Sequence, residues 1–404
     1  MKLLTTLLIL LSFALQGQNL SDYQQQAVEN NPSILAAYKQ FEADLTKVQQ
    51  VNNLPDPTLS VGVFISPVET RVGPQQARFS LTQMFPWFGT LKAKGDVAAL
   101  QAEASYQRFV EQQNKVRFQV AAAYFPMVEL EKIREIQLEN KDVLSSWKRL
   151  TTVKYENNQT ALTDILRLDI RIKEIETELQ LLEGETRALM VGFNRLLNRS
   201  DTAHVLLEDS TYQMRRVPEL PEWDQNPQLA ELSKRMQANE SQLTVIEKSG
   251  LPKIGAGIDY LIIGERTDAN VVNNGKNALM PMVSVSVPIF RRKYTEAARE
   301  TELKIEGLQY SIENTENMLV SQYEKLRFEA NREIQLQYLY ASQLERTQQI
   351  QTLLSTEFSN SGKQLDALLR VQMELLGYRI KQVKSETRLL IKIANLDYLV
   401  AGER

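Results

Sequence analysis

Two aspartates hold matching places in a motif that occurs twice. Tyr155 to Leu166 (YENNQTALTDIL) and Phe358 to Leu369 (FSNSGKQLDALL) each run from an aromatic residue through a polar stretch to an Asp and an apolar run. The second copy is one residue shorter between its aromatic and its Asp. Asp164 and Asp366 fall in the first turns of the helices that follow. A negative charge there complements the helix dipole, worth about 0.3–1 kcal/mol. Ser361 and Gln364 stand at capping-box spacing. Arg167 and Arg370, three and four residues downstream of the aspartates, are placed for ordinary ion pairs within each helix.

Little else in the chain could do chemistry. There is no cysteine among the 404 residues, which excludes disulfides, thiolate metal sites, cysteine nucleophiles and a lipid-modified cysteine. The single histidine, His204, rules out a multi-histidine metal site, and any Ser-His-Asp triad would have to use it. It lies near Pro218, Pro221 and Trp223 in a connecting segment and reads as structural or exposed. Met280 and Met282 share one strand face and read as space-filling rather than as soft-metal ligands. No nucleophile motif, phosphate loop or metal-ligand spacing is present, so no enzymatic activity, cofactor or metal is expected. With 47 Lys+Arg against 50 Asp+Glu, the net charge of −3 gives no basic excess for nucleic acid.

The elements that carry these residues are mostly helical, because the helix breakers are scarce: 16 glycines and 13 prolines. A mean hydropathy of −0.32 excludes a bundle of transmembrane helices. One apolar run, Leu3 to Leu15, follows Met1 and Lys2 and precedes Gly17. It is too short to span a bilayer, which takes about 20 residues. It reads as a cleaved secretory signal over residues 1–18.

The remainder looks duplicated, with a period of about 200 residues. Asn31-Pro32 corresponds to Asn226-Pro227, Leu54-Pro55 to Leu251-Pro252, and Phe79 to Phe88 (FSLTQMFPWF) to Leu279 to Phe290. The expected organisation is a first repeat at 19–198, a connector at 199–225 and a second repeat at 226–404. Each repeat reads as helix, strand pair, very long helix, short turn and helix. The first helix is expected over Ser21 to Val51 and its counterpart over Pro227 to Ser249.

Between them the apolar period changes to two. Leu59, Val61, Val63 and Ile65 alternate with Ser60, Gly62 and Phe64, and Phe79, Leu81 and Phe85 alternate with Arg78, Ser80, Thr82 and Met84. Ile254 to Ile262 and Val283 to Val287 alternate likewise, with polar loops at Ser66 to Gln76 and Gly264 to Ala278. From Asp96 to Glu183 there is no glycine, and Pro126 is the one proline. Thr90 to Lys154 therefore reads as one helix of about 100 Å at 1.5 Å per residue, kinked at Pro126. Arg291 to Glu357 reads as its partner.

Helices this long need a coiled-coil partner, and the heptads provide one. Ile165, Ile172, Leu179, Thr186 and Phe193 recur every seven residues, as do Leu168, Ile175, Leu182, Leu189 and Leu196. The last helix repeats this with Leu369, Leu376, Val383 and Leu390, and with Met373, Ile380, Thr387 and Ala394. Phe109, Val116, Ala123 and Leu130, and Ile305, Ile312, Leu319 and Leu326, form weaker rows.

In a bilayer every open strand edge costs several kcal/mol, so only closed barrels are viable. Four strands cannot close one, because barrels start at eight, whereas three copies would supply twelve. The small, polar strand face suits a wet lumen. Phe85, Trp87, Phe88 and Phe290 at the strand ends suit an aromatic girdle. A soluble half-buried sheet packed on helices is the alternative for the strands, which the signal and the long helices disfavour. A secreted coiled-coil scaffold explains the heptads but not four alternating strands with aromatic ends.

Tandem helix, strand-pair, long-helix and heptad-helix units, with NPSI at Asn31 to Ile34, LPDPTLSVGV at Leu54 to Val63, QMFPWFGTL at Gln83 to Leu91 and YENNQTALTDIL, resemble the TolC family of outer-membrane efflux proteins. The resemblance covers essentially all of the chain after the signal. Pro86-Trp87-Phe88-Gly89 resembles members that serve heavy-metal resistance-nodulation-division pumps. The resemblance implies a mainly α fold with a small β part, in which antiparallel coiled-coil helices cross the periplasm. Four strands per chain would close a twelve-strand barrel in a homotrimer within outer-membrane lipid. It implies a passive exit duct for metal cations or drugs, docked on a periplasmic adaptor and an inner-membrane pump. An exit channel for type I protein secretion is the alternative. It also implies that the turns after the long helices form a periplasmic tip. Asn157, Asn158, Gln159, Thr160, Ser359, Asn360, Ser361 and Gly362 would meet the adaptor there, and Asp164 and Asp366 would gate the aperture.

Overall fold

A computed structural model describes residues 19–207, 223, 225–361 and 363–400. The expected signal, most of the connector and Gly362 lie outside the described residues. In chain order the elements are α1 (Leu20–Asn30), α2 (Pro32–Val51), β1 (Thr58–Val63), β2 (Glu69–Thr70), β3 (Gly73–Phe85), α3 (Thr90–Glu156) and α4 (Leu162–Leu196). There follow α5 (Pro227–Ser249), β4 (Lys253–Ile263), β5 (Ala278–Ser286), α6 (Arg292–Ser361) and α7 (Leu365–Val400).

The first helix is two helices. Pro32 has no N–H and pushes the preceding residue out of the helical region, and Asn31 is extended at φ −67°, ψ 123°. The Asn31 side chain secures the break. Its Nδ2 donates to the Leu196 carbonyl at 2.8 Å, and its Oδ1 accepts from the Ser33 N–H at 3.0 Å. In contrast, α3 continues as helix through Pro126.

The chain folds as two compact units. One holds the stretch up to Ala37, Phe109–Pro227 and Glu316 onward; the other holds Tyr38–Arg108 and Gln228–Thr315. Among the described residues, the regular elements of the first unit are all helices. Its aromatic centre is Tyr23, Tyr124 and Phe193, all fully buried. The Tyr23 and Phe193 rings meet edge to face at 5.1 Å, an arrangement that adds about 0.5–1.5 kcal/mol to area burial. The Tyr23 hydroxyl accepts from the Leu206 N–H at 2.9 Å, which ties the chain after α4 to α1.

The α4 heptads behave as a seam. Leu168, Ile175, Leu182 and Phe193 are buried, and none of the other row members is exposed. Leu168 and Ile175 pack with Leu144, Trp147, Leu365 and Leu368. Leu182 packs with Leu130 and Ile133, with Ile380 and Val383 against them. The α7 rows fit less well. Met373 is exposed, while Leu368, Leu389 and Leu396, outside both rows, are buried. A straight helix drifts about 20° per heptad against a strict seven-residue repeat, so the buried face of α7 crosses its rows.

The second unit carries an antiparallel sheet of order β1-β3-β4-β5, with short β2 paired to β3. Each of the edges, β1 and β5, is paired on one side only. The register aligns the apolar positions in rows: Leu59–Leu81–Ile258–Pro281, and Val61–Phe79–Tyr260–Leu279. Phe85, Ile254 and Val285 form a further row. Strand β3 starts at Gly73, so the expected loop at Ser66 to Gln76 is partly strand.

Gly73 is one position where only glycine serves. Its φ is +129°, and a Cβ there would sit 1.8 Å from the Gly264 carbonyl oxygen. Close by, the Gly264 N–H donates to the Pro74 carbonyl at 2.8 Å and the Gly275 N–H to the Val72 carbonyl at 2.7 Å. Gly73→Ala is expected to separate the two loops. Limited proteolysis should then cut within residues 64–76 or 264–277 several-fold faster, with helix content by circular dichroism unchanged.

Candidate functional site

The first unit brings the two aspartate motifs together. Helix α3 ends at Glu156, and Asn158 turns the chain in a left-handed conformation at φ 58°, which asparagine tolerates. The Gln159 N–H donates back to the Lys154 carbonyl at 2.8 Å. Ala161 stands at the α4 N-cap with no side-chain oxygen to offer. Asp164 accepts from the Thr160 hydroxyl instead, which closes the turn from inside the helix. The Lys154 ammonium, mostly buried, donates to the Ser359 carbonyl at 3.0 Å and so joins the first turn to the end of α6.

The second turn differs from expectation. Ser359, Asn360 and Ser361 are helical, because α6 runs on to Ser361. No capping box forms there. The Ser361 hydroxyl donates to the Glu357 carbonyl at 2.9 Å, and Gln364 reverses the chain at φ 72°, its amide donating to Glu357 at 3.2 Å. Asn157, Asn158, Gln159, Ser359, Asn360 and Ser361 are exposed, with Thr160 half-buried.

The arginines also depart from expectation. Arg167 makes its ion pair with Asp366 of the other motif, not with Asp164 in its own helix. That carboxylate, by hydrogen bond and charge, holds the guanidinium above the ordinary arginine value, and Asp164 adds a smaller push in the same direction. Arg370 has no ion pair among the described residues. Each chain thus presents Asp366, paired with Arg167, and Asp164, which accepts from the Thr160 hydroxyl and has no ion pair among the described residues.

In the second unit the sheet has two contrasting faces. The apolar rows are exposed, Val283 at 77% and Ile258 at 52%. The opposite face carries Thr82, Gly257 and Met282 in one row and Ser80, Asp259 and Met280 in the next. There Asp259 is fully covered. It accepts from Arg78 and from the Ser80 hydroxyl, a contact across strands from opposite halves of the sequence. The alternation had assigned all three to the polar face. Their pairing depends on the β3–β4 register, which a single sequence does not disclose.

At the end of the sheet where β3 and β5 finish, Phe85, Phe88 and Phe290 are exposed, Phe290 at 84%, and Trp87 lies 6.0 Å from Phe88 edge to face. His204 is exposed. Among the described residues no group of three or more His, Cys, Asp or Glu is placed to hold a metal ion, and no helix is long and apolar enough to cross a membrane.

No family model and no curated protein matches the chain. Solved structures do. The outer membrane protein VceC from Vibrio cholerae superposes over 95% of this chain and 96% of its own, with a TM-score of 0.75 at 14% identity. This chain has the fold of an outer-membrane channel. CusC, described in conformations accompanying folding and transmembrane channel formation, matches over 96% of this chain and 93% of its own, with a TM-score of 0.73 at 13% identity. The MtrE outer membrane channel of Neisseria gonorrhoeae matches over 95% and 89%, with a TM-score of 0.75 at 12% identity. The TolC-like architecture read from the sequence, mainly α with a small β part, is therefore present along the whole described chain.

Proposed function

We propose that the chain is one third of an outer-membrane exit duct. The observation that carries this reading is the sheet: four strands with both edges unpaired and one face exposed and apolar. Neither feature is stable in lipid unless the sheet closes. Three copies joined β5 to β1 give a twelve-strand barrel whose apolar rows face lipid. The face of Ser80, Thr82, Gly257 and Asp259 then lines the lumen. Helix α6 supports the same assembly. It leaves Phe328 (67%), Tyr310, Tyr338 and Leu353 exposed, more large apolar surface than a monomeric helix keeps in water.

In this assembly the two repeats are 19–198 and 226–404, joined by the connector. Phe85, Trp87, Phe88 and Phe290 form the girdle at one membrane interface. The tip residues at 157–160 and 359–361, all exposed but Thr160, meet a periplasmic adaptor, with an inner-membrane pump behind it. The cargo is a metal cation or drug. The fold of the channel neighbours supports the duct, and the Pro86-Trp87-Phe88-Gly89 segment supports the metal cargo.

The aspartates gate the aperture, with unequal roles. Asp366 is matched by Arg167, so the three Asp164 carboxylates, which pair with no cation among the described residues, are the acids that favour cations at the axis. Single-channel recording in planar bilayers tests this. Asp164→Asn is expected to lower cation over anion permeability several-fold. Asp366→Asn, which frees Arg167, should move selectivity towards anions. Assembly should persist, since Asn serves well near helix starts. Unchanged selectivity in both variants would remove these residues from the gate.

A further inference from the structure

The aromatic end of the sheet carries a strong excess of positive charge. Residues 86–95, 248–253 and 288–295 contain Lys92, Lys94, Lys248, Lys253, Arg291, Arg292 and Lys293 and no Asp or Glu, in a chain whose net charge is −3. The acids that flank these stretches in sequence are Glu69 and Asp96, Glu247 and Asp259, and Asp268 and Glu296. Of the seven cations only Arg292 has an ion pair among the described residues, with Glu296 at 3.7 Å, and its side chain remains 91% exposed. Elsewhere exposed cations are commonly paired, as Lys304 is to Glu300 at 2.5 Å on the same helix. Lys293 lies over the Tyr294 ring at 4.8 Å.

The position of this charge identifies its partner. Arg291, Arg292 and Lys293 directly follow Val287, Ile289 and Phe290, all exposed and continuous with the apolar face of β5. A surface that passes from bare aliphatic side chains through aromatic rings to three consecutive exposed cations within seven residues matches a lipid monolayer in profile: acyl chain, interface, anionic headgroup. A protein partner would need an acidic surface and would leave the adjoining apolar and aromatic side chains unexplained.

We propose that this basic collar, centred on Arg291, Arg292 and Lys293, binds the phosphate headgroups of anionic phospholipid in the leaflet next to the helical part of the channel. The proposal rests on the membrane reading above. In the trimer the collar recurs three times and ties the barrel at a fixed depth.

Native mass spectrometry of the detergent-purified trimer, incubated with equal phosphatidylglycerol and phosphatidylcholine, tests it. The wild type is expected to retain phosphatidylglycerol about fivefold or more over phosphatidylcholine, since each cation near the surface contributes roughly that factor. Arg291→Gln/Arg292→Gln/Lys293→Gln should reduce the preference to below about twofold, with trimer yield unchanged. A Lys304→Gln/Arg327→Gln control on α6 should keep it. A wild-type trimer without preference, a triple variant that retains it, or full displacement of the lipid by millimolar inorganic phosphate would overturn the proposal. Absence of a trimer would instead overturn the membrane reading itself.

Discussion

Ile258→Arg is expected to remove the assembled protein from the membrane fraction while leaving the helices able to fold. Ile258 lies at the centre of β4, in the row Leu59–Leu81–Ile258–Pro281, and about half of its surface is exposed in the single chain. In water, arginine at such a site changes stability by no more than about 0.5 kcal/mol. Facing lipid near the bilayer midplane it costs about 2–4 kcal/mol in each copy, and a trimer incurs that cost three times. Membrane-fraction trimer should fall at least tenfold. Ser60→Arg, on the opposite face, should assemble and alter conductance instead, because lumen substitutions tune selectivity rather than stability. Equal behaviour of the two variants would mean that the sheet faces are misassigned.

Leu182→Asp strikes the helical unit with comparable force. Leu182 is buried against Leu130 and Ile133, with Ile380 and Val383 packed around them. Removing the side chain alone costs about 2–5 kcal/mol, and an unpaired carboxylate in that seam adds the penalty of burying charge without a partner. Loss of assembled protein, or a melting temperature lowered by many degrees, is expected. Leu182→Met keeps the volume and should cost under about 1.5 kcal/mol. Normal abundance of the Asp variant would show that α4 turns a different face to its neighbours.

The features legible in the sequence are those set by periodicity. The α4 seam was readable because Leu168, Ile175, Leu182 and Phe193 each recur on a seven-residue step and each is buried. The strand faces were readable because apolar residues alternate with small or polar ones from Ile254 to Tyr260. Features set by relations between distant segments were not. Arg167 stands three residues from Asp164, so spacing favours the local pair, yet the approach of α7 gives it Asp366. Ser361 and Gln364 have capping-box spacing, but α6 continues one turn past its expected end and places Ser361 inside a helix. The division at Asn31 had a local signal in Asn31-Pro32, which outweighs the helical period on either side.

The central claim is that three chains close one barrel by pairing β5 of each with β1 of the next, and cysteine cross-linking tests it most directly. The chain has no cysteine, so introduced pairs meet no background. Ser60→Cys on β1 would be combined in turn with Met280→Cys, Met282→Cys or Ser284→Cys on β5, all on the lumen face, and oxidised in intact membranes. A disulfide needs Cα atoms within about 7 Å, so only the correct register should react. One combination is expected to yield a covalent species of three chains and none larger on a non-reducing gel. Monomers in every combination, or an unbounded ladder of higher species, would contradict closure by three.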